Sequence, residues 1–162
     1  MLKKPEFKKI LYCTDLGKHT GPVFMNALAQ AEKNDATITV IHVVEPMTES
    51  AKAVVKTYMS DIDIDAIQRE GMGKVFTNIK TRIDSFLREK CGKNFESEPI
   101  EEILVVAGRP SEEILNTAKD KDFDLIVLGK SSGKVLGNRV MGSTARRVNR
   151  LSRVPVLVVP NR

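Results

Sequence analysis

The chain has 162 residues, of which 41% are hydrophobic and 29% are charged, and its net charge is +5. This composition is typical of a globular protein, and we expect one domain over residues 1–162. No apolar run approaches the roughly 20 residues that a membrane span needs, and the N-terminus lacks the apolar centre of a signal peptide. We therefore expect a cytoplasmic protein that has no membrane partner. Two cysteines are too few for a disulfide framework or a four-ligand zinc site.

The positive charge is concentrated in the last fifth of the chain. Residues 130–162 contain eight Lys or Arg and no Asp or Glu, whereas residues 1–129 have a net charge of −3. Binding to nucleic acid is disfavoured, because this segment has no aromatic residue on which bases stack. Two interpretations remain open, namely an exposed helix face and a positive rim around bound phosphates.

The first elements in chain order predict a β-α-β unit. Residues 9–14 (KILYCT) form a short apolar run that ends at Asp15. Pro22 suits the first turn of a helix, and apolar residues then recur at helical spacing until Asn34. Residues 36–44 (ATITVIHVV) are β-branched and almost continuously apolar, as expected for a strand that is covered on both faces.

Residues 45–94 separate the second predicted strand from the third. Residues 48–59 indicate a short helix, and a stripe of 3.6-residue period predicts a long amphipathic helix through about Lys90. Gly71 and Gly73 fall near the start of this stripe, where they are candidate breaks in the helix. The stripe consists of Met72, Val75, Phe76, Ile79, Ile83, Phe86 and Leu87.

The rest of the chain continues the alternation of strands and helices. Ser111 is the predicted N-cap of a helix whose first turn carries Glu112 and Glu113, where negative charge complements the helix dipole. The whole pattern predicts an α/β fold with an open, five-stranded parallel sheet and helices on both faces. The other predicted elements here are strands at residues 100–107, 124–128 and 155–159 and a helix at 143–151.

A loop of small and basic residues follows the fourth predicted strand. Residues 128–144 read LGKSSGKVLGNRVMGST and end where the last helical pattern begins. Backbone N–H groups in such a loop and at a helix N-terminus attract anions. Lys130, Lys134 and Arg139 add positive charge, so the sequence predicts a phosphate site.

Two common phosphate motifs do not fit this chain. Val135 stands where a Walker A loop requires Ser or Thr, and Cys13-Thr14-Asp15 replaces the glycine-rich turn that dinucleotide-binding folds place after the first strand. Ligands of open parallel sheets bind beyond the carboxyl ends of the strands. Asp15, Val43 and Gly129 all fall at such ends, and we expect them to meet at one crevice.

The chain resembles the universal stress proteins over nearly its whole length. The likeness rests on KKILYCTDL, ITVIHVVEP, AGRPSEEIL and FDLIVLGKSSGKVLGNRVMGSTARRVNRLSRVPVLVVP, in this order and spacing. In the ATP-binding branch the nucleotide loop reads Gly, two residues, Gly, nine residues, Gly and then Ser or Thr. Gly129, Gly142 and Ser143 keep this spacing, but Ser132 occupies the second glycine position and Gly133 follows it. A loop that binds no nucleotide therefore remains an alternative.

The resemblance implies an adenine-nucleotide α-hydrolase-like fold, a Rossmann-like three-layer sandwich that binds ATP. It implies that Asp15 accepts hydrogen bonds from the ribose and that the backbone around Val43 lines the adenine, although Asp15 is alternatively a cap on the following loop. A divalent cation, Mg²⁺ or Mn²⁺, is expected to be carried by the phosphates. The remaining implied contacts are Cys13, Thr14 and Leu128 around base and sugar, and Gly129, Ser131, Ser132, Gly133, Gly142, Ser143 and Thr144 around the phosphates.

Neither histidine predicts a catalytic group. His42 lies inside an apolar strand and is interpreted as a core residue whose hydrogen bonds are satisfied, whereas His19 follows Asp15 in a loop that can approach a ligand. No Ser-His-Asp arrangement and no carboxylate cluster follow from the spacing. Cys13, at a position where the family commonly has proline, is interpreted as an inert buried thiol.

Three functions remain open at this point. The favoured one is a stress-response module that binds ATP and passes its nucleotide state to a regulatory protein partner. The alternatives are a slow ATPase or adenylyl-transferring enzyme, and a structural partner protein that binds no nucleotide. The resemblance also implies a homodimer that pairs the last strands, residues 155–159 (PVLVV), because an apolar edge strand invites pairing.

Overall fold

The computed structural model describes residues 2–61, 63–130 and 140–160. Strands and helices alternate along these residues, and a 3₁₀ helix, Gly92–Ser97, precedes the third strand. The strands are β1 (Lys9–Cys13), β2 (Thr37–Val44), β3 (Ile100–Ala107), β4 (Leu125–Gly129) and β5 (Val156–Val159). The helices are α1 (Gly21–Asn34), α2 (Glu49–Tyr58), α3 (Ile64–Cys91), α4 (Pro110–Asp120) and α5 (Ser143–Leu151).

The five strands form one parallel sheet in the order β3-β2-β1-β4-β5. Successive side chains of a strand point to opposite faces, so each strand contributes to two cores. Ile10 and Tyr12 of β1 pack with α1 and α3 on one face, whereas Leu11 packs with α4 and α5 on the other. The predicted fold class, an open parallel sheet covered by helices on both faces, is confirmed.

The central strands β1, β2 and β4 are buried on both faces, which accounts for their nearly continuous apolar sequences. Ile10, Leu11 and Tyr12 have no exposed surface, and neither do Ile126 and Val127 of the neighbouring β4. Each fully buried side chain of this size stabilises the fold by about 1.5–3 kcal/mol relative to an exposed one. This core fixes the strand ends on which the crevice described below is built.

One local prediction is wrong, and a break in the long helix, which the sequence left open, does not occur. Ser111 is not the N-cap of α4: the helix begins at Pro110, Arg109 takes the cap position, and Ser111 is buried inside the first turn. Proline suits this position because its missing N–H would be unpaired there anyway. Gly71 and Gly73 do not interrupt the long helix, since α3 runs through both of them. Glycine in a helix costs only about 1 kcal/mol, which packing of the apolar stripe offsets.

Other boundaries agree with the sequence to within a residue or two. Pro22 lies in the first turn of α1, and the Thr48 hydroxyl caps α2 by accepting a hydrogen bond from the Ala51 N–H (3.2 Å). Asp124 lies just before β4, where its carboxylate accepts the main-chain N–H groups of Lys8 and Lys9 at 2.8 and 2.9 Å. None of the helices in the described part of the chain is long and apolar enough to cross a membrane.

Candidate functional site

The carboxyl ends of β1, β2 and β4 surround a crevice with a volume of about 330 Å³. These ends lie level because Cys13 of β1 is in register with Ile41 on one side and with Leu128 on the other. The starts of α4 and α5 close its remaining sides through Pro110 and Ser143. A cavity of this size and position is typical of small-molecule sites in parallel α/β folds.

All predicted site residues in the described part of the chain line this crevice. They are Cys13, Thr14, Asp15, Val43, Leu128, Gly129, Gly142, Ser143 and Thr144. The other predicted residues, Ser131, Ser132 and Gly133, lie outside the described residues, as do Lys134 and Arg139. Stretches that are more than 100 residues apart in sequence thus converge on one site.

Thr14 organises the turn between β1 and α1. Its N–H donates to the Ile41 carbonyl (3.0 Å), and its hydroxyl oxygen accepts the N–H of Leu16 (3.1 Å). The same hydroxyl lies 3.0 Å from the hydroxyl of Thr20, which lies 2.6 Å from the hydroxyl of Tyr12. This network is buried, and it holds Leu16 in the left-handed region at φ 57°. Asp15 therefore projects from a turn whose backbone is fixed on both sides.

The Asp15 carboxylate is exposed and has one contact within the turn. Its Oδ1 atom accepts the main-chain N–H of Gly17 at 2.8 Å, which is the capping contact that the sequence left as an alternative. A carboxylate has two oxygens with about four acceptor positions, so one capping bond leaves most of them available. The cap restrains the side chain while Asp15 still lines the crevice.

His42 lies at the site and not only in the core. It is half-buried, lines the crevice, and its Nδ1 atom lies 2.8 Å from the carbonyl oxygen of Thr14. A carbonyl only accepts, so Nδ1 carries the proton of this hydrogen bond. The contact is consistent with the prediction that the hydrogen bonds of His42 are satisfied, but the sequence did not predict that His42 borders the site. His19 is exposed and is not among the crevice residues.

The Cys13 thiol lines the crevice but has low reactivity. Its burial raises the pKa well above the ordinary value of a thiol, so the neutral form predominates at physiological pH. The thiolate is the nucleophilic form of cysteine. Cys13 therefore contributes shape and an apolar surface and is not a ready nucleophile.

The opposite end of the crevice is formed by the end of β4 and the start of α5. The N–H of Lys130 donates to the Val159 carbonyl and the N–H of Gly142 donates to the Lys130 carbonyl, both at 2.8 Å. Gly142 is the N-cap of α5 and provides no side-chain cap. The first N–H groups of a helix have no intrahelical acceptor, so the start of α5 directs main-chain donors and the positive end of its dipole toward this end.

The sequence missed the crevice residues that helices contribute. Thr20 and Val23 come from the start of α1, and Ile114 and Ala145 come from α4 and α5. Their helical spacing indicated burial, but it gave no information on which buried residues border a cavity. Ile41 and Glu45 were missed as well, although their position beside Val43 at the end of β2 was an available signal.

The described residues offer no metal centre of their own. Within residues 2–61, 63–130 and 140–160, no group of three or more His, Cys, Asp or Glu is placed to hold a metal ion. The polar side chains that line the crevice are two carboxylates (Asp15 and Glu45), the hydroxyls of Thr14, Thr20, Ser143 and Thr144, the His42 imidazole and the Lys130 ammonium. Such a set is complementary to a ligand with both hydroxyl and anionic groups.

Comparison with known proteins assigns the family. A model of the universal stress protein family matches residues 6–160. Universal stress protein YxiE of Bacillus subtilis is 28% identical over 154 residues, which cover 94% of this chain and 99% of that protein. The solved structure of MJ0577 of Methanocaldococcus jannaschii is 24% identical, has a TM-score of 0.73, and covers 96% of this chain and 97% of its own.

A universal stress protein solved in complex with cAMP has the same fold at 18% identity and a TM-score of 0.59, with 97% of this chain and 99% of that chain covered. Because the family model spans nearly the whole sequence, the chain belongs to the universal stress protein family.

Proposed function

We propose that this protein binds ATP in the crevice and acts as a nucleotide-dependent regulatory module in the cytoplasm. The observation that carries the proposal is that an exposed carboxylate, Asp15, and the start of α5, where the N-cap residue Gly142 has no side chain, line the same cavity. A ribose presents hydroxyl donors and a triphosphate presents anionic oxygens, so the two ends of the crevice match the two ends of the ligand. The cAMP complex of a related protein supports an adenine nucleotide as the ligand class.

The residues present fit ATP in chemical type. Asp15 is assigned to the ribose hydroxyls, and Val43 and Leu128 to the base. The main-chain N–H groups of Ser143 and Thr144, together with the Lys130 ammonium, are assigned to the phosphates, and Gly142 is assigned to the same end as a residue without a side chain. Bound ATP supplies the negative charge and the occupied state that a protein partner distinguishes from the empty one. Mg²⁺ or Mn²⁺ is proposed to be held by the phosphates.

Two features favour binding over catalysis. The pKa of the Cys13 thiol is raised by burial, and the Nδ1 atom of His42 is engaged with the Thr14 carbonyl. Rapid phosphoryl transfer needs a positioned nucleophile or base, and neither group is free to act as one through these atoms. We therefore propose that hydrolysis or adenylyl transfer is not the main function of the protein.

Nucleotide retention tests the proposal directly. Purified protein is heated, and the supernatant is analysed by mass spectrometry for ATP, ADP and cAMP. Calorimetry then measures the binding of the same nucleotides to protein from which bound nucleotide has been removed. We expect ATP to be retained and to bind more tightly than cAMP. Tighter binding of cAMP than of ATP contradicts the triphosphate assignment. Release of many phosphates per protein molecule in the presence of excess ATP favours the enzyme. Failure to bind any adenine nucleotide favours the structural partner protein.

We also propose that the protein forms a homodimer through β5. This strand lies at an edge of the sheet, and its residues, Val156–Val159, are all apolar. The other edge strand, β3, carries charged side chains at Glu101 and Glu102, and charge on an edge discourages pairing. The difference between the two edges favours pairing through β5.

The register of β5 provides a specific test of the dimer. The carbonyls of Pro155 and Val159 accept hydrogen bonds from β4, so the main-chain groups of Val156 and Val158 point to the free edge. Val158→Pro removes one outward N–H and leaves the β4–β5 ladder intact. We expect the wild-type protein to sediment as a dimer at micromolar concentration and the variant as a monomer. A wild-type monomer, or a variant that still dimerises fully, contradicts pairing through this edge.

A further inference from the structure

We propose that His42 is a positioning residue for nucleotide binding, which fixes the Thr14–Asp15 peptide and thereby the carboxylate assigned to the sugar. The inference rests on the proposed function, because it assigns a task in ATP binding to a residue on a neighbouring strand. His42 comes from β2, whereas Asp15 follows β1, so the contact joins the ends of two neighbouring strands at the edge of the crevice.

The contact acts directly on the backbone of Asp15. The His42 Nδ1 atom lies 2.8 Å from the Thr14 carbonyl oxygen, and this carbonyl belongs to the peptide group that ends in the Asp15 nitrogen. A hydrogen bond to that oxygen fixes the plane of the peptide, and the plane sets the direction in which the Asp15 side chain leaves the turn. His42 does not need to touch the ligand to influence the position of the carboxylate.

The other polar groups of Thr14 have different partners. Its N–H donates to the Ile41 carbonyl at 3.0 Å, and its hydroxyl contacts the Leu16 N–H and the Thr20 hydroxyl at 3.1 and 3.0 Å. Within the residues that the structure describes, His42 is the donor to the Thr14 carbonyl. Loss of the imidazole therefore removes the hydrogen bond to the Thr14 carbonyl, while the hydrogen bonds of the Thr14 N–H and hydroxyl remain.

Replacement of His42 separates positioning from general stability. His42→Phe keeps a ring but has no donor, whereas the amide nitrogen of His42→Asn donates from nearly the same place as Nδ1. The readout is the ratio of affinities for ATP and for 2′,3′-dideoxy-ATP, which lacks both sugar hydroxyls. A variant that only loosens the fold lowers both affinities and leaves this ratio unchanged.

We expect the wild-type protein to favour ATP over dideoxy-ATP by about tenfold, which corresponds to hydrogen bonds made by a charged acceptor. His42→Phe should reduce the preference to about twofold, and His42→Asn should restore most of it. His19→Phe is the matched control, because His19 lies in the loop that follows Asp15 but is not among the crevice residues, and it should leave the ratio unchanged. In an Asp15→Ala background, His42→Phe should change the affinity for ATP by less than about twofold, because its effect passes through the missing carboxylate.

The positioning role is overturned if His42→Phe keeps the wild-type ratio of affinities for ATP and dideoxy-ATP, or if its loss of ATP affinity adds fully to that of Asp15→Ala. Either result leaves the proposal of ATP binding intact. Absence of ATP binding by the wild-type protein instead overturns the proposed function. If His42→Phe does not fold, nitrogen NMR of histidine in the wild-type protein decides the question. The Nδ1-protonated form, free and with ATP, supports the role, and the Nε2-protonated form overturns it.

Discussion

The two ends of the crevice, which we assign to the sugar and to the phosphates of ATP and call the sugar end and the phosphate end, are built from different parts of the protein. At the sugar end, defined by Thr14, Asp15, Thr20 and His42, side chains form a hydrogen-bond network with specific partners. The phosphate end, defined by Lys130, Gly142, Ser143 and Thr144, lies where β4 ends and α5 begins. Side-chain networks recognise shape and donor pattern, whereas helix starts attract anions of many kinds.

This difference predicts that the sugar end determines selectivity for the nucleoside and that the phosphate end recognises negative charge. Substitutions at the sugar end should weaken binding of adenosine and ATP alike, since both ligands contain the sugar. Substitutions at the phosphate end should weaken binding of ATP and leave adenosine almost unaffected.

The largest effect is expected for Asp15→Ala. A hydrogen bond to a charged group contributes about 1.5–3 kcal/mol, so we expect affinities for ATP and adenosine to fall together by about 10- to 100-fold. Calorimetry with both ligands measures this loss. Asp15→Asn is the control, because it keeps an oxygen that can accept the Gly17 N–H. An unchanged affinity for adenosine contradicts the assignment of the sugar end.

Tyr12, whose hydroxyl contacts Thr20 beneath the sugar end, should make the free energy of unfolding depend on pH. Burial raises the pKa of Tyr12 from 10.0 to about 12. Between these values the unfolded chain loses the phenolic proton and the folded protein keeps it, so the free energy of unfolding falls as pH rises. Tyr12 should account for a fall of about 2 kcal/mol between pH 10 and 12.

Urea unfolding of the wild-type protein and of Tyr12→Phe over this range isolates the contribution of Tyr12 from that of the lysines. The variant should lack this part of the fall. It should also be about 1 kcal/mol less stable at neutral pH, because it loses the hydrogen bond to the Thr20 hydroxyl. Parallel curves for the two proteins above pH 10 would show that the phenol is not buried as described.

Gly142→Val tests the phosphate end. The backbone of Gly142 has φ −61° and ψ 156°, which valine adopts without strain, and because Gly142 lines the crevice we expect the added side chain to crowd the phosphates. We expect about a tenfold loss of affinity for ATP, or about 1.4 kcal/mol, with less than a twofold change for adenosine. Gly142→Ala should lie between the two. Equal losses for both ligands would contradict the division of the crevice into two ends.

Gly17→Ala gives a smaller effect by an indirect route. A Cβ atom at Gly17 would lie 2.9 Å from Oδ1 of Asp15, so the carboxylate has to move. We expect about a fivefold loss for ATP and adenosine alike, equivalent to about 1 kcal/mol. Gly21→Ala is the matched control, since its nearest neighbour, Cε of Lys90, would be at an ordinary distance of 3.7 Å. If both variants bind as the wild type does, the position of the Asp15 carboxylate is not important for binding.

The smallest effect is expected for Lys130→Gln. Lys130 lines the phosphate end and is partly exposed, and ion pairs at such positions contribute about 0.2–1 kcal/mol. We expect about a threefold loss for ATP at low ionic strength, none for adenosine, and convergence of the two proteins at high salt. Titrations at two salt concentrations measure this. A loss that persists at high salt would indicate a contact other than charge.

The fold was predictable because local patterns and the global arrangement agree. Residues 36–44 are so apolar that only a strand covered on both faces suits them, and the structure places β2 there, next to β1. The convergence of Asp15, Val43 and Gly129 followed from a general property of parallel sheets, that their carboxyl ends lie along one edge.

The contacts within the site were not predictable from the sequence. The His42–Thr14 hydrogen bond joins residues 28 apart, and it depends on the register of β1 against β2 and on the conformation of a turn that includes Leu16 at positive φ. Propensity likewise favoured Ser111 over Arg109 as a cap, because it takes no account of the burial of Ser111. Such features depend on tertiary packing, about which single residues carry little information.

A crystal structure of the protein soaked in millimolar ATP tests the central proposal most directly. We predict nucleotide density in the crevice, with the sugar hydroxyls within hydrogen-bond distance of the Asp15 carboxylate and the phosphates at the start of α5. A crevice that stays vacant, or a nucleotide bound with its phosphates toward Asp15, would contradict the account.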